Sequence, residues 1–240
     1  MHTTPPAAKR SDLTGVLCAL VGLALAVVGV LVFDALSQRG RIPTDAYTPL
    51  SYLVTWVPMA GAVVVFCVLR PQAVRATLRL RLQLIDLLWG AAIGFACRMI
   101  AIATNLAVYG SAGLGGAPSI AGSVDPWLVF GGLVAPIVIA PVIEEVFFRG
   151  LALGSVYGQL GGRSRRGPAS VIAVVVTAAV FTSVHLIGTP TAAAAATAAV
   201  PVFVLGAAAA AATLGTGRLG AALIGHAVFN AIAVVVTFPW

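Results

Sequence analysis

Apolar residues in this chain come in long blocks rather than in narrow stripes. Seven stretches of about 18 to 24 nearly uncharged residues, each long enough to cross a ~30 Å hydrocarbon core as a helix, recur from one end to the other. They lie at about 13–33, 50–69, 87–109, 127–148, 169–187, 191–214 and 219–238. Membrane strands would be segments of about ten residues with alternating polarity, and that alternation is absent. The predicted fold class is therefore all-α: a polytopic transmembrane helical bundle of about seven spans, or eight if 150–160 behaves separately. The breaks between blocks are too short for a soluble domain. A tail at 1–12, N-terminal transmembrane helices at 13–109 and a second transmembrane region at 126–238 describe the organisation.

Composition agrees with this pattern. The 240 residues are 60% hydrophobic and 9% charged, against roughly 25% charged in a soluble domain. The first block follows Lys9 and Arg10 like a signal peptide, yet it is long and has no small-residue cleavage pattern before Asp34, so it reads as a retained helix. Cys18, Cys67 and Cys97 are odd in number and fall inside spans, which suits packed thiols better than disulfides or a metal cluster.

The net charge of +7 is not a nucleic-acid footprint, because the basic residues sit between spans: Lys9 and Arg10; Arg70, Arg75, Arg79 and Arg81; Arg163, Arg165 and Arg166; and Arg218. Only Arg39 and Arg41 occupy a loop on the opposite side, so the positive-inside bias places the N-terminus in the cytoplasm. Segment 70–84 interleaves arginine with leucine, as an interfacial helix on anionic lipid or a topology anchor would. Thirteen arginines against one lysine, with much Ala, Gly and Val, suggest a GC-rich bacterial genome and hence a bacterial inner membrane. The alanine-rich tract 191–212, containing Pro201, favours close helix packing and a kink.

Ionisable groups inside a span are costly and face a cavity or a partner. Here they are few. The two glutamates, Glu144 and Glu145, are adjacent, and apart from His2 the histidines are His185 and His226. Asn230 lies in the same span as His226, and Arg98 lies in the third span, with Asp86 near that span's start, as a structural or snorkelling charge. Glu145 and Arg149, Phe181 and His185, and His226 and Asn230 are each spaced i,i+4, so each pair shares a helix face. Glu145 is thereby neutralised by Arg149. Glu144 points about 100° away, without a local cation, as a proton acceptor would.

If the fourth helix continues past Arg149 to a turn at 161–167, Glu144 and His185 lie at similar distances from that turn and face each other. His226 is closer to the start of its span and requires a tilted or kinked sixth helix. A carboxylate beside a histidine can activate water while a second His with Asn donates to an oxyanion; alternatively, Glu144, His185 and His226 could hold a divalent metal such as zinc. Both arrangements are hydrolytic.

Glu-Glu-x-x-x-Arg at 144–149, Phe-x-x-x-His at 181–185 and His-x-x-x-Asn at 226–230, with a Gly-rich turn ahead of the last, resemble in order the motifs of the CAAX-protease and bacteriocin-processing (CPBP, or Abi) family of intramembrane proteases. The resemblance covers about 126–237. It implies a multi-helix endopeptidase in which Glu144 and His185 activate water, His226 and Asn230 stabilise the oxyanion, and Glu145, Arg149 and Phe181 support the site. Family members are often labelled metalloproteases, yet the same residues also suit metal-free water activation. Eukaryotic relatives trim prenylated CAAX tails; here the implied partners are the bilayer and a membrane-associated protein or peptide substrate. The competing classes are a proton-coupled transporter, which predicts inverted repeats that the chain lacks, and a non-catalytic membrane partner or immunity protein on the same fold.

Overall fold

The computed structural model describes residues 13–113, 129–161 and 166–237, and among them every regular element is helical. The predicted tail at 1–12 lies outside the described residues. Six helices are long and apolar enough to cross a membrane, and a shorter apolar one completes the bundle. Their outward faces expose Leu20, Leu25, Leu53, Val68, Leu88 and Val171, as a lipid-facing surface requires.

Helix α1 (Thr14–Gln38) and helix α2 (Thr44–Leu69) form a hairpin across a turn that uses Gly40 at φ +65°. Small residues bring them together: a Cβ on Gly22 would stand 2.5 Å from that of Ala62. Both helices run several residues beyond the predicted apolar blocks, because helix continues where the chain becomes polar.

Of the two readings of segment 70–84, the continuous interfacial helix is not formed, and the topology anchor is untouched by this. Only α3 (Val74–Leu78) is helical, and Arg79 ends it in the left-handed region at φ 52°. The cause is tertiary. Leu78 is buried against Gly150, Thr77 approaches Gly154, and the Arg79 carbonyl accepts the Leu219 amide, so the chain is pinned to the protein at 77–79 while the residues that follow stay exposed.

Helix α4 (Ile85–Tyr109) packs on the last helix through Gly90 and Gly94, four residues apart. A Cβ on Gly94 would lie 2.5 Å from the Gly225 carbonyl oxygen, so only glycine permits this approach. Asp86, fully buried at the start of α4, accepts a bifurcated hydrogen bond from Arg218 Nε and another from Nη2, pinning the turn before the last helix.

Helix α5 is continuous over Phe130–Gln159, so 150–160 forms no separate span. It widens into π-helical turns at Phe130–Ile139 and Val146–Ala152. Helix α6 (Arg166–His185) and helix α7 (Ala192–Thr216) pack where Gly206 meets Ala178 and Phe181, and Pro201 sits inside α7 without interrupting it. Helix α8 (Gly220–Thr237) is the short one, 18 residues or about 27 Å at ~1.5 Å per residue. Cys97 is buried, and Cys18 and Cys67 are half-buried free thiols.

Candidate active site

The polar side chains that a bilayer penalises converge where α5, α6 and α8 meet. Glu144 and Glu145 end the α-helical stretch of α5 between its two π-helical ones, and their side chains take different partners. Glu145 is fully buried; its Oε1 accepts from His226 Nδ1 at 2.8 Å and stands 3.0 Å from Arg149 Nη1. Neither Nη of Arg149 makes a hydrogen bond to other protein atoms, and the guanidinium lies 4.0 Å from the centre of the Phe181 ring, over its negative face. A buried cation is thus compensated chiefly by one carboxylate and one π-system.

Glu144 turns toward the two imidazoles. Its Oε2 is 3.6 Å from His185 Nε2 and 3.9 Å from His226 Nε2. These separations exceed a direct hydrogen bond, and Oε2 is buried with no protein partner. Such spacing suits an oxygen held between the carboxylate and the rings.

The outer nitrogens of both rings are fixed. His185 Nδ1 is 2.8 Å from the Phe181 carbonyl, which can only accept, so Nδ1 carries the proton and a neutral His185 presents a lone pair at Nε2. His226 Nδ1 donates likewise to the Glu145 carboxylate. Phe181 keeps the rings apart, tilted against His185 at 4.3 Å and edge-on to His226 at 5.8 Å between centroids.

His226 thus reaches Glu144 even though its helix begins only at Gly220. The residue count behind the expected tilted or kinked sixth helix assumed that the last two spans start level with the 161–167 turn. The Asp86–Arg218 and Arg79–Leu219 contacts instead seat the start of α8 against α4 and the segment before it.

Asn230 is tied to α5. Its Nδ2 donates to the Pro136 carbonyl at 2.8 Å. Backbone register explains why that oxygen is free. The Ala140 amide bonds back to Ala135, and the next residue, Pro141, has no N–H to offer. One amide hydrogen of Asn230 fills the gap, and the second remains for other use. The pair Pro136 and Pro141, five apart, was the sequence signal for this break, and the reading of the motifs passed over it. The reading also missed that Glu145 binds His226 as well as Arg149.

Arg98 is structural: it donates from Nε and Nη2 to the Phe229 carbonyl at 3.0 and 2.6 Å, and its guanidinium lies 3.8 Å from the Phe229 ring centre. Asp86 is engaged by Arg218 rather than by Arg98.

Glu144, His185 and His226 are chemically a zinc-type donor set. As placed, however, no group of three His, Cys, Asp or Glu side chains among the described residues closes to a metal-holding geometry.

Neither a curated protein nor a solved structure matches the chain. Residues 126–232, which contain Glu144, His185, His226 and Asn230, match the family described as Type II CAAX prenyl endopeptidase Rce1-like. The match takes in all three motifs that resemble the CAAX-protease-like family of intramembrane endopeptidases, and it is through this region that the chain is similar to that family.

Proposed function

We propose that this protein hydrolyses a peptide bond of a membrane-associated protein or peptide, using water activated by Glu144 and His185. The observation that carries the reading is the buried, unpartnered Oε2 of Glu144 beside two imidazole nitrogens at 3.6 and 3.9 Å. A water between Glu144 Oε2 and His185 Nε2 donates one hydrogen to each. As its oxygen attacks the scissile carbonyl carbon, one of these acceptors takes a proton, and that proton is later delivered to the leaving amine. The carbonyl oxygen becomes an oxyanion. It is met by the second amide hydrogen of Asn230 and by His226 Nε2 when that ring is protonated on both nitrogens, with Nδ1–H held on Glu145. Arg149 and Phe181 support the pair from behind. The protein works as a multi-pass protein of a bacterial inner membrane with its N-terminus in the cytoplasm, as the loop arginines favour.

The test is cleavage of a lipid-embedded peptide library by the purified protein beside Glu144→Gln and His185→Ala. Each change is expected to lower turnover about 10²–10⁴-fold, the usual worth of a positioned acid or base, while leaving thermal unfolding within a few degrees. Undiminished cleavage in Glu144→Gln would refute the assignment.

A further inference from the structure

A second polar feature lies away from the carboxylate–imidazole site. Gln72, Arg75, Ala76, Arg79, Arg81 and Gly217 line an open cavity of about 450 Å³ between the α3 segment and the turn that leads into α8. Three of the six lining side chains are guanidinium groups, and among the described residues none of the three is ion-paired. Asp86, the acidic residue of this region, is fully buried and taken up by Arg218 and the Gln83 amide. Burial lowers the pKa of the Arg79 guanidinium, with Tyr157 acting against the shift, so an anion in the cavity would favour its charged form. Arg79 is also the one non-glycine residue at positive φ among those described, a conformation that the contact of its carbonyl with Leu219 helps to hold.

The backbone leaving this cavity is non-helical and apolar at every second position. Leu80, Leu82 and Leu84 are 58%, 66% and 87% exposed, whereas Leu78 just before them is 2% exposed. An exposed leucine row directly beside a cluster of unpaired arginines has the two-part chemistry of a phospholipid: apolar chains on one side and an anionic phosphate on the other. A free phosphate would leave the leucines unexplained.

We propose that this cavity binds the phosphate headgroup of an anionic phospholipid through Arg75, Arg79 and Arg81, with the acyl chains lying along Leu80, Leu82 and Leu84. Guanidinium groups take phosphate oxygens by paired, charge-assisted hydrogen bonds. The inference is independent of the peptidase reading, because it concerns a different site and a binding event.

The experiment is native mass spectrometry of the full chain, released from detergent with equimolar phosphatidylglycerol and phosphatidylcholine. The wild type is expected to retain the anionic lipid about tenfold over the zwitterionic one. Arg75→Gln with Arg81→Gln, both exposed, is expected to remove most of that preference, at about threefold per arginine, within the roughly fivefold that one arginine is worth beside an anionic lipid surface. Arg75→Lys with Arg81→Lys is expected to keep much of it. Unchanged thermal unfolding of both variants shows the fold intact. Equal retention of the two lipids by the wild type, or a preference that the glutamine variant keeps, overturns the proposal. Stabilisation by millimolar inorganic phosphate without lipid preference assigns the cavity to a soluble anion and overturns it too.

Discussion

Replacing Glu145 by glutamine changes one oxygen to nitrogen and almost nothing in volume, so its effect isolates charge. In the native protein the Glu145 carboxylate is the counter-charge of the buried Arg149 and the acceptor for His226 Nδ1. Removing it leaves a guanidinium that is 1% exposed with the Phe181 and Phe148 rings and the more distant Glu144 carboxylate for compensation. Breaking a buried pair from one side costs about 3–5 kcal/mol. On the scaling for domains of this size, about 2–4 °C per kcal/mol, Glu145→Gln lowers the melting temperature by roughly 6–20 °C. Arg149→Met costs a comparable amount by stranding the carboxylate. The double variant strands neither charge and recovers at least about 2 kcal/mol of the summed loss, because replacing both partners of a buried pair is often near neutral. Its cleavage activity nevertheless stays low, since His226 no longer has its anionic partner. The assay is a double-mutant cycle of thermal unfolding in one detergent, with turnover measured on the same samples. Additive losses in the double variant would refute the claim that Arg149 depends on Glu145, and full activity in it would refute the role given to the Glu145–His226 contact.

Asn230→Ala and Asn230→Asp should both strand the Pro136 carbonyl, since a carboxylate cannot donate to it; each is expected to cost about 1–3 kcal/mol in thermal unfolding and to lower turnover, and Asn230→Asp with native stability would contradict this. With water activated by Glu144 and His185 alone, a strong zinc chelator is expected to leave turnover within about twofold; a large loss restored by added zinc would instead make Glu144, His185 and His226 metal ligands. Gly94→Ala is expected to destabilise by about 1–3 kcal/mol, because its Cβ would meet the Gly225 carbonyl at 2.5 Å, whereas Gly61→Ala, with nothing within 4 Å, should be neutral or slightly stabilising.

Local periodicity made the helical bundle and the i,i+4 pairs legible in the sequence, because both depend on short-range geometry. Glu145 with Arg149 and His185 with the Phe181 carbonyl are contacts of this kind. The contacts that close the site span 81 residues from Glu145 to His226 and 94 from Pro136 to Asn230, and no spacing rule reaches across them. The shape of segment 70–84 was illegible for a related reason. Its Leu and Arg pattern is compatible with an interfacial helix, but burial of Leu78 against Gly150 and capture of the Arg79 carbonyl by Leu219 set its conformation from outside. The break at Pro136 and Pro141 lay in plain view. It needed the backbone question of which carbonyl loses its donor, rather than a search for ionisable groups.

The two imidazoles beside Glu144 are unequally accessible: the His185 side chain is 33% exposed and that of His226 4%. On the peptidase reading, this difference gives the reaction a front and a back. A polypeptide entering on the more exposed side meets His185 first and His226 last, with its carbonyl oxygen leading. A bond presented the other way round would bring its nitrogen to the deep wall, where the donors are set for oxygen. Orientation of the chain is therefore selected on approach, before any proton moves, and a helical substrate must first unwind enough to turn a single carbonyl inward.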